Sequence, residues 1–270
     1  MAGRTGLITT AAAVLAAAAV VESAAAEPWR ELEPGLDLAE VSAPADDADD
    51  RSLHVLRIDT ERYDLVLLNA SATEEGELHT ARSWSRDHGL VAAVNASMYQ
   101  QDYRTSVSLM RTRDHVNNSY VSKDNTVLAF DPLDDQAARA VLIDRTCDDF
   151  ESLSARYGSL VQGIRMVSCH GNNTWSQQRR RHATAAIGVD GAGRILLIYC
   201  ERPMTTHDLI DRLIAAPLGL VRCMYAEGGP PSQLYVNAGG EEHEYVGGIV
   251  GGSRLGDAYP VPNVLGVRRR

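Results

Sequence analysis

Lysine is almost missing from this 270-residue chain: Lys123 is the single one, and the only basic runs are Arg179 to Arg181 and Arg268 to Arg270. The formal net charge is -10, so the chain lacks the density of cations with which proteins track a phosphate backbone, and nucleic acid is set aside as a partner. After residue 26 no apolar run is long enough to cross a membrane. Cysteine is limited to Cys147, Cys169, Cys200 and Cys223, whose wide spacing matches no zinc knuckle. No HExxH-type metal motif and no internal repeat is present.

What is present begins with a leader. Arg4, an apolar stretch from Leu7 to Val21, and Ala24, Ala25 and Ala26 before Glu27 read as a secretory signal cleaved after Ala26, with an uncleaved anchor as the alternative. The Arg-over-Lys bias, with much Ala and Asp, is that of a GC-rich bacterial genome, and export then means periplasm or medium. In that compartment disulfides form. Cys147 and Cys169 are the expected pair, because they close a local loop of modest length.

Three segments are expected: the signal at 1–26, an acidic stretch at 27–51 ending in PADDADD, and one domain at 52–270. In the acidic stretch GLDLAEV reads as a strand. SLHVLRID and DLVLLNA read as a hairpin, TARSWSRDH as a helix, and VAAVN as a buried strand. TVLAFD and ARAVLID come next as strands, Cys147 to Tyr157 as a helix, and Arg268 to Arg270 as a solvated tail. GRILLIYC, THDLIDRLIA and LVRCMYAE have the size of a parallel βαβ unit at about 194–227. The fold class is therefore α+β, a mixed and largely antiparallel twisted sheet with packed helices and that one crossover.

The crossover brings chemistry to one edge. Glu227 leaves a buried run straight into Gly228, Gly229, Pro230 and Pro231, where glycine permits close backbone approach and proline stiffens the turn. If the two strands lie side by side, Glu201 emerges beside Glu227. The helix N-terminus near Thr206 and His207 is there too, offering N–H groups to an anion. The parallel arrangement also separates Cys200 from Cys223.

The order of motifs resembles the phosphodiester glycosidase family. The likeness starts in the early hairpin and runs through VAAVNASMY, LVQGIRMV and HATAAIGVDGAGRILLIYCE to YAEGGPPSQLYV. Within it Asn95 is kept, but Ala96 and Ser97 replace two glycines, and Met98 and Tyr99 an aromatic pair. Glu227 stands for an Asp, Gly228 and Gly229 for the family's glycines, and Ser232 for one of its serines. Thr184 stands where the family often has Arg, with Arg181 and His182 nearby.

The resemblance implies an exported hydrolase that splits a glycosyl phosphodiester at the sugar carbon. Glu227 would be the working carboxylate, and Asn95 would bind a sugar hydroxyl or orient Glu227. Asp102 or Glu201 would be a second carboxylate. Arg181, His182, Thr184, Thr206 and the glycines would hold phosphate, and Tyr99, Tyr103 or Trp175 would stack on sugar. A glycan or sugar phosphate is the implied partner; no cofactor is required, with calcium left open. Two other readings remain: a non-catalytic glycan-binding protein, and a metal-dependent phosphodiesterase with Asp102, Glu201, Glu227 and His207 as ligands.

Overall fold

The computed structural model describes residues 28–41, 53–247 and 258–270. The leader and the PADDADD segment lie outside these residues. Strands β1 (Trp29–Glu33), β2 (Leu36–Val41), β3 (Leu53–Ile58), β4 (Tyr63–Asn69), β5 (Ala92–Asn95), β6 (Met110–Arg111), β7 (Val116–Asn118) and β8 (Thr126–Pro132) come first. Next are β9 (Ala140–Asp144), β10 (Tyr157–Val167), β11 (His182–Asp190), β12 (Ile195–Met204), β13 (Leu220–Gly228), β14 (Gln233–Ala238), β15 (Glu241–Val246) and β16 (Asn263–Arg269). Helices are α1 (Ala81–His88), α2 (Phe150–Ser154) and α3 (Thr206–Ala215).

Two sheets face each other. The larger runs β1-β2-β3-β12-β11-β13-β10-β6-β7, with β8 and β9 attached through β10; the smaller runs β15-β14-β5-β16-β4. Ile187, Leu197, Tyr199 and Met224 of the large sheet pack on Val94, Leu234 and Leu265 of the small one in a dry core. On the other face of the large sheet, Ala186, Leu196, Ile198 and Cys223 receive Leu209, Ile210 and Leu213 of α3. Trp84 and Ala81 of α1 cover the outer face of the small sheet at Ala93 and Tyr235. The layers are thus helix, sheet, sheet, helix, and β11, β12 and β13 are buried on both faces.

That double burial corrects one expectation. ILLIYC is apolar throughout because both its faces are covered, a pattern that reads like a parallel strand. Every described ladder is antiparallel. β12 and β13 do point the same way, but β11 lies between them and pairs antiparallel with each. The fold is more sheet-dominated than the mixed α+β sheet expected, with three short helices among the described residues.

The early hairpin is corrected as well. A tight turn, in which Asp59 O accepts from Arg62 N at 3.0 Å and Tyr63 N at 3.1 Å, sends β3 into the large sheet and β4 into the small one. The expected helix from Cys147 shrinks to α2, capped by Asp149. The terminal arginines are solvent-exposed as expected but continue β16 rather than forming a tail: Arg269 pairs with Glu33 at 2.5 Å and Arg270 with Asp64 at 3.2 Å.

Cys147 and Cys169 form a disulfide, while Cys200 and Cys223 are buried thiols. Cys200 lies opposite Thr184 and Cys223 opposite Gly188, so β11 and several ladder positions separate them. No helix among the described residues is long and apolar enough to cross a membrane.

The disulfide spans 22 residues, a loop for which cross-linking contributes about 3 kcal/mol by restricting the unfolded chain. Replacing Cys147 and Cys169 together by Ser is expected to lower the unfolding free energy by roughly that amount. The measurement is urea denaturation with and without reductant; reduced wild type should fall to the variant's midpoint, and equal midpoints for oxidised wild type and variant would exclude the effect.

Candidate active site

Glu227 lies near the end of β13, where the ladder with β11 is irregular: Ala185 faces Glu227 while Ala186 faces Tyr225. The extra residue re-aims the side chains beyond it, a use of bulges common beside active sites. The residue is 9% exposed. Its one described hydrogen bond comes from its neighbour's backbone, Gly228 N to Oε1 at 2.9 Å. Burial is the main influence on its acidity and raises it from 4.5 to about 7; the Gly228 N–H pulls weakly the other way.

The side chains around it form a defined group. A Cβ at Gly228 would run into the Tyr225 hydroxyl and the His182 ring, so only glycine lets these two close over the strand. His182 Nδ1 lies 2.9 Å from Ala183 O and 3.1 Å from Thr184 Oγ1. A carbonyl only accepts, so Nδ1 carries the proton and Nε2 is left available to a substrate. Thr184, fully buried, supports the ring from below.

Tyr99 stands within electrostatic reach of Glu227. Its hydroxyl is pushed up to about 12, first by burial and then by that carboxylate. Tyr103 lies with its ring centroid 5.8 Å from that of Tyr99. Tyr225 is also shifted upward by burial and by Glu227, and is eased back by Arg180. Trp175 borders Tyr225 at 5.6 Å between ring centroids.

Asn95 sits across the gap between the sheets, at the end of β5. Its Nδ2 donates to Pro231 O at 2.9 Å and its Oδ1 accepts from Gln233 N at 2.7 Å. The amide is 1% exposed and holds the turn after Glu227. Ser232 closes the same turn, donating to Gly229 O at 2.7 Å, while Gly229 takes φ +78° and donates its N–H to Ala183 O. Asn95 and Ser232 therefore position the turn that carries Glu227.

Other expected members lie elsewhere. Glu201 points to His54, 3.6 Å away. Asp102 is exposed and bound within its own loop by Arg104 N, Thr105 N and Thr105 Oγ1. At the N-terminus of α3, Thr206 is buried. Two of the first-turn N–H groups there are already taken, Asp208 N by Thr205 Oγ1 and His207 N by Gln178 Oε1. Arg181 is exposed, and its neighbour Arg180 is the arginine that influences Tyr225. His207 faces Asp211 at 3.4 Å. Among the described residues the one close grouping of acidic, histidine and cysteine ligand atoms is Cys147, Cys169 and His170, whose two sulfurs are joined in the disulfide, so the four-ligand set does not assemble.

The site also includes Tyr225 and Arg180, which the sequence pattern does not single out. Tyr225 has a signal, since it stands two residues before Glu227 in a strand. Arg180 is visible as part of the basic run, but nothing in a run of three exposed arginines tells which one comes within electrostatic reach of Tyr225.

A family model described as phosphodiester glycosidase matches residues 88–268. Among solved structures, the chain is similar to the zebrafish N-acetylglucosamine-1-phosphodiester alpha-N-acetylglucosaminidase catalytic domain auto-inhibited by pro-peptide. Identity there is 12% and the TM-score 0.65, covering 88% of this chain and 85% of that one. It is also similar to a hypothetical protein from Synechocystis, at 15% identity and TM-score 0.55, covering 81% of this chain and 59% of that one. At these identities the likeness is one of fold. No curated protein matches the sequence.

The raised acidity constant of Glu227 has a sign that can be measured. Between pH 4.5 and about 7 the folded state keeps a proton that the unfolded state releases, so this group's contribution to stability is present at low pH and lost as pH rises through 7. The loss is at most about 3 kcal/mol. Glu227→Gln should remove it: in urea titrations, variant and wild type should differ more at pH 8 than at pH 5, with the variant gaining. A difference independent of pH would contradict the burial argument.

Proposed function

The chain belongs to the phosphodiester glycosidase family, and we propose that it hydrolyses a glycosyl phosphodiester with Glu227 as the central carboxylate. The observation that carries this reading is a buried carboxylate near neutrality, with Tyr99, Tyr225 and His182 around it and the exposed Arg180 within electrostatic reach of Tyr225. The structural neighbour's name makes an N-acetylglucosamine phosphodiester the first substrate to try.

The leaving group explains why one carboxylate suffices. A phosphate monoester departs with the electron pair of the broken C–O bond and needs little protonation, so the demand falls on water and on the developing positive charge at the sugar carbon. Ionised Glu227 takes a proton from the attacking water as that water's oxygen bonds to the sugar carbon. A base of pKa about 7 is well matched to that task. His182, presenting Nε2, and Arg180 hold the phosphate oxygens. Tyr99 and Tyr103 offer ring faces to the sugar. Export is part of the proposal, supported by the leader's composition and by the disulfide.

Glu227→Gln should reduce kcat for N-acetylglucosamine 1-(methyl phosphate) by roughly two to four powers of ten while the protein stays folded. For the wild type, kcat/KM should rise with pH through about 7 as Glu227 ionises. A profile that falls above pH 7 would make Glu227 an acid, and unchanged turnover in the variant would remove it from the mechanism. Arg180→Ala should raise KM for the phosphodiester about tenfold, well beyond its effect on a neutral glycoside, because the lost contact is charge-assisted. Arg181→Ala should do less. If wild type binds the sugar phosphodiester and turns over nothing, the glycan-binding reading replaces this one.

A further inference from the structure

A cavity of about 420 Å³ opens beside the strand that carries Glu227, and no step of the hydrolysis uses it. Trp175 belongs to both regions: its ring borders Tyr225, and it also lines the cavity. Ile164, on the cavity wall, is the direct ladder partner of Tyr225, so the cavity lies immediately beside the strand that carries Glu227. The volume is within the range of small-ligand pockets.

Its walls combine apolar and polar groups that are held in place. Trp175 is fixed by its indole N–H, which donates to Arg165 O at 2.7 Å. The Ser122–Asp124 segment is held by Gln162, whose amide donates to Ser122 O at 3.1 Å and Asp124 O at 2.6 Å, and by Arg145, which donates to the same two carbonyls. Asn125, Thr174, Ser176 and Gln178 supply hydroxyl and amide groups.

The charges have a clear balance. Asp124 is engaged by the hydroxyls of Ser108 and Ser122 at 3.1 and 2.7 Å. Arg165 is neutralised by Asp144 at 2.8 Å. Lys123, the chain's one lysine, lines the cavity and has no ion pair among the described residues. Hydroxyls and amides beside an indole face, with a cation that has no ion pair among the described residues, suit a hydroxyl-rich anion whose carbon skeleton lies on Trp175 and whose charge meets Lys123.

We propose that this cavity receives the part of the substrate beyond the scissile phosphate, and that this part is a polyol phosphate, a further unit of a phosphodiester-linked chain. The proposal rests on the hydrolase reading for its placement, since the departing phosphate monoester would then extend past Trp175 toward Lys123. A lipid-bearing phosphate is the competing occupant and is one outcome of the test.

Two measurements separate the possibilities. The first is binding of a synthetic glycerol phosphate trimer, followed by tryptophan fluorescence, with Trp175→Phe to assign the signal. Saturable binding is expected in wild type, weakened about tenfold in Lys123→Ala. The second is turnover of N-acetylglucosamine 1-phosphodiesters whose second ester is methyl, glycerol phosphate or a prenyl chain. KM should be about tenfold lower for the glycerol phosphate ester than for the methyl ester, and Lys123→Ala should close that gap without changing methyl ester kinetics. Trimer binding that is absent or insensitive to Lys123→Ala, or a preference for the prenyl ester, overturns the proposal. If the methyl ester is cleaved while the trimer is ignored, the cavity assignment fails and the hydrolase stands. If the trimer binds through Lys123 and no ester is cleaved, the hydrolase reading fails and the cavity still takes a polyol phosphate.

Discussion

Between Glu227 and Gln233 the chain passes from the large sheet to the small one, and the amide of Asn95 holds the far side of that passage through Pro231 and Gln233. Each hydrogen bond is worth only about 1 kcal/mol net, but a buried amide left without partners would cost more than that. The two bonds fix where β14 starts relative to β5, and hence how the turn containing Gly228 and Gly229 sits against β11. Gly229 then reaches Ala183 O, and Gly228 leaves room for Tyr225 and His182. The environment of Glu227 is therefore set by a residue on the opposite sheet that does not touch its carboxyl group in any described contact.

The same arrangement accounts for the acidity of Glu227. A carboxylate paired with arginine at this depth would be held ionised and acidic. Here Arg180 acts on Tyr225, and the Glu227 carboxyl is governed by burial. Reactivity and folding stability are drawn in opposite directions by one side chain, which is common where a charge must work in a dry place.

Much of the fold was legible in the sequence. Alternation and turn residues marked about half of the strands, and the helical patterns of TARSWSRDH and THDLIDRLIA marked α1 and α3. What the sequence hid was partnership. ILLIYC is apolar because it lies between a helix and a second sheet, and the local pattern cannot distinguish that from a parallel strand. β3 and β4 looked like a hairpin because sheet identity is decided by distant partners, β12 for one and β16 for the other. The site was legible where chemistry and backbone coincide, at Glu227 with its glycines and at Asn95. It was illegible where a side chain's direction decides its use, as with Glu201, which turns to His54, and with the α3 N-terminus, where Gln178 and Thr205 take two of the N–H groups.

The order of strands in the small sheet reaches into the kinetics of folding. β16 is inserted between β5 and β4, so that Asn263 pairs with Asn69 and Val264 with Asn95. Until the segment from Asn263 to Arg269 has left the ribosome, β4 has no partner in its sheet and β5 lacks one of its two. Closure of such distant pairs is slow, because loop entropy is paid before any contact returns it. A nascent chain of this topology therefore carries β4 and one edge of β5 unpaired until Arg269 has emerged, and such open strand edges are the places where a second unfinished chain can pair wrongly.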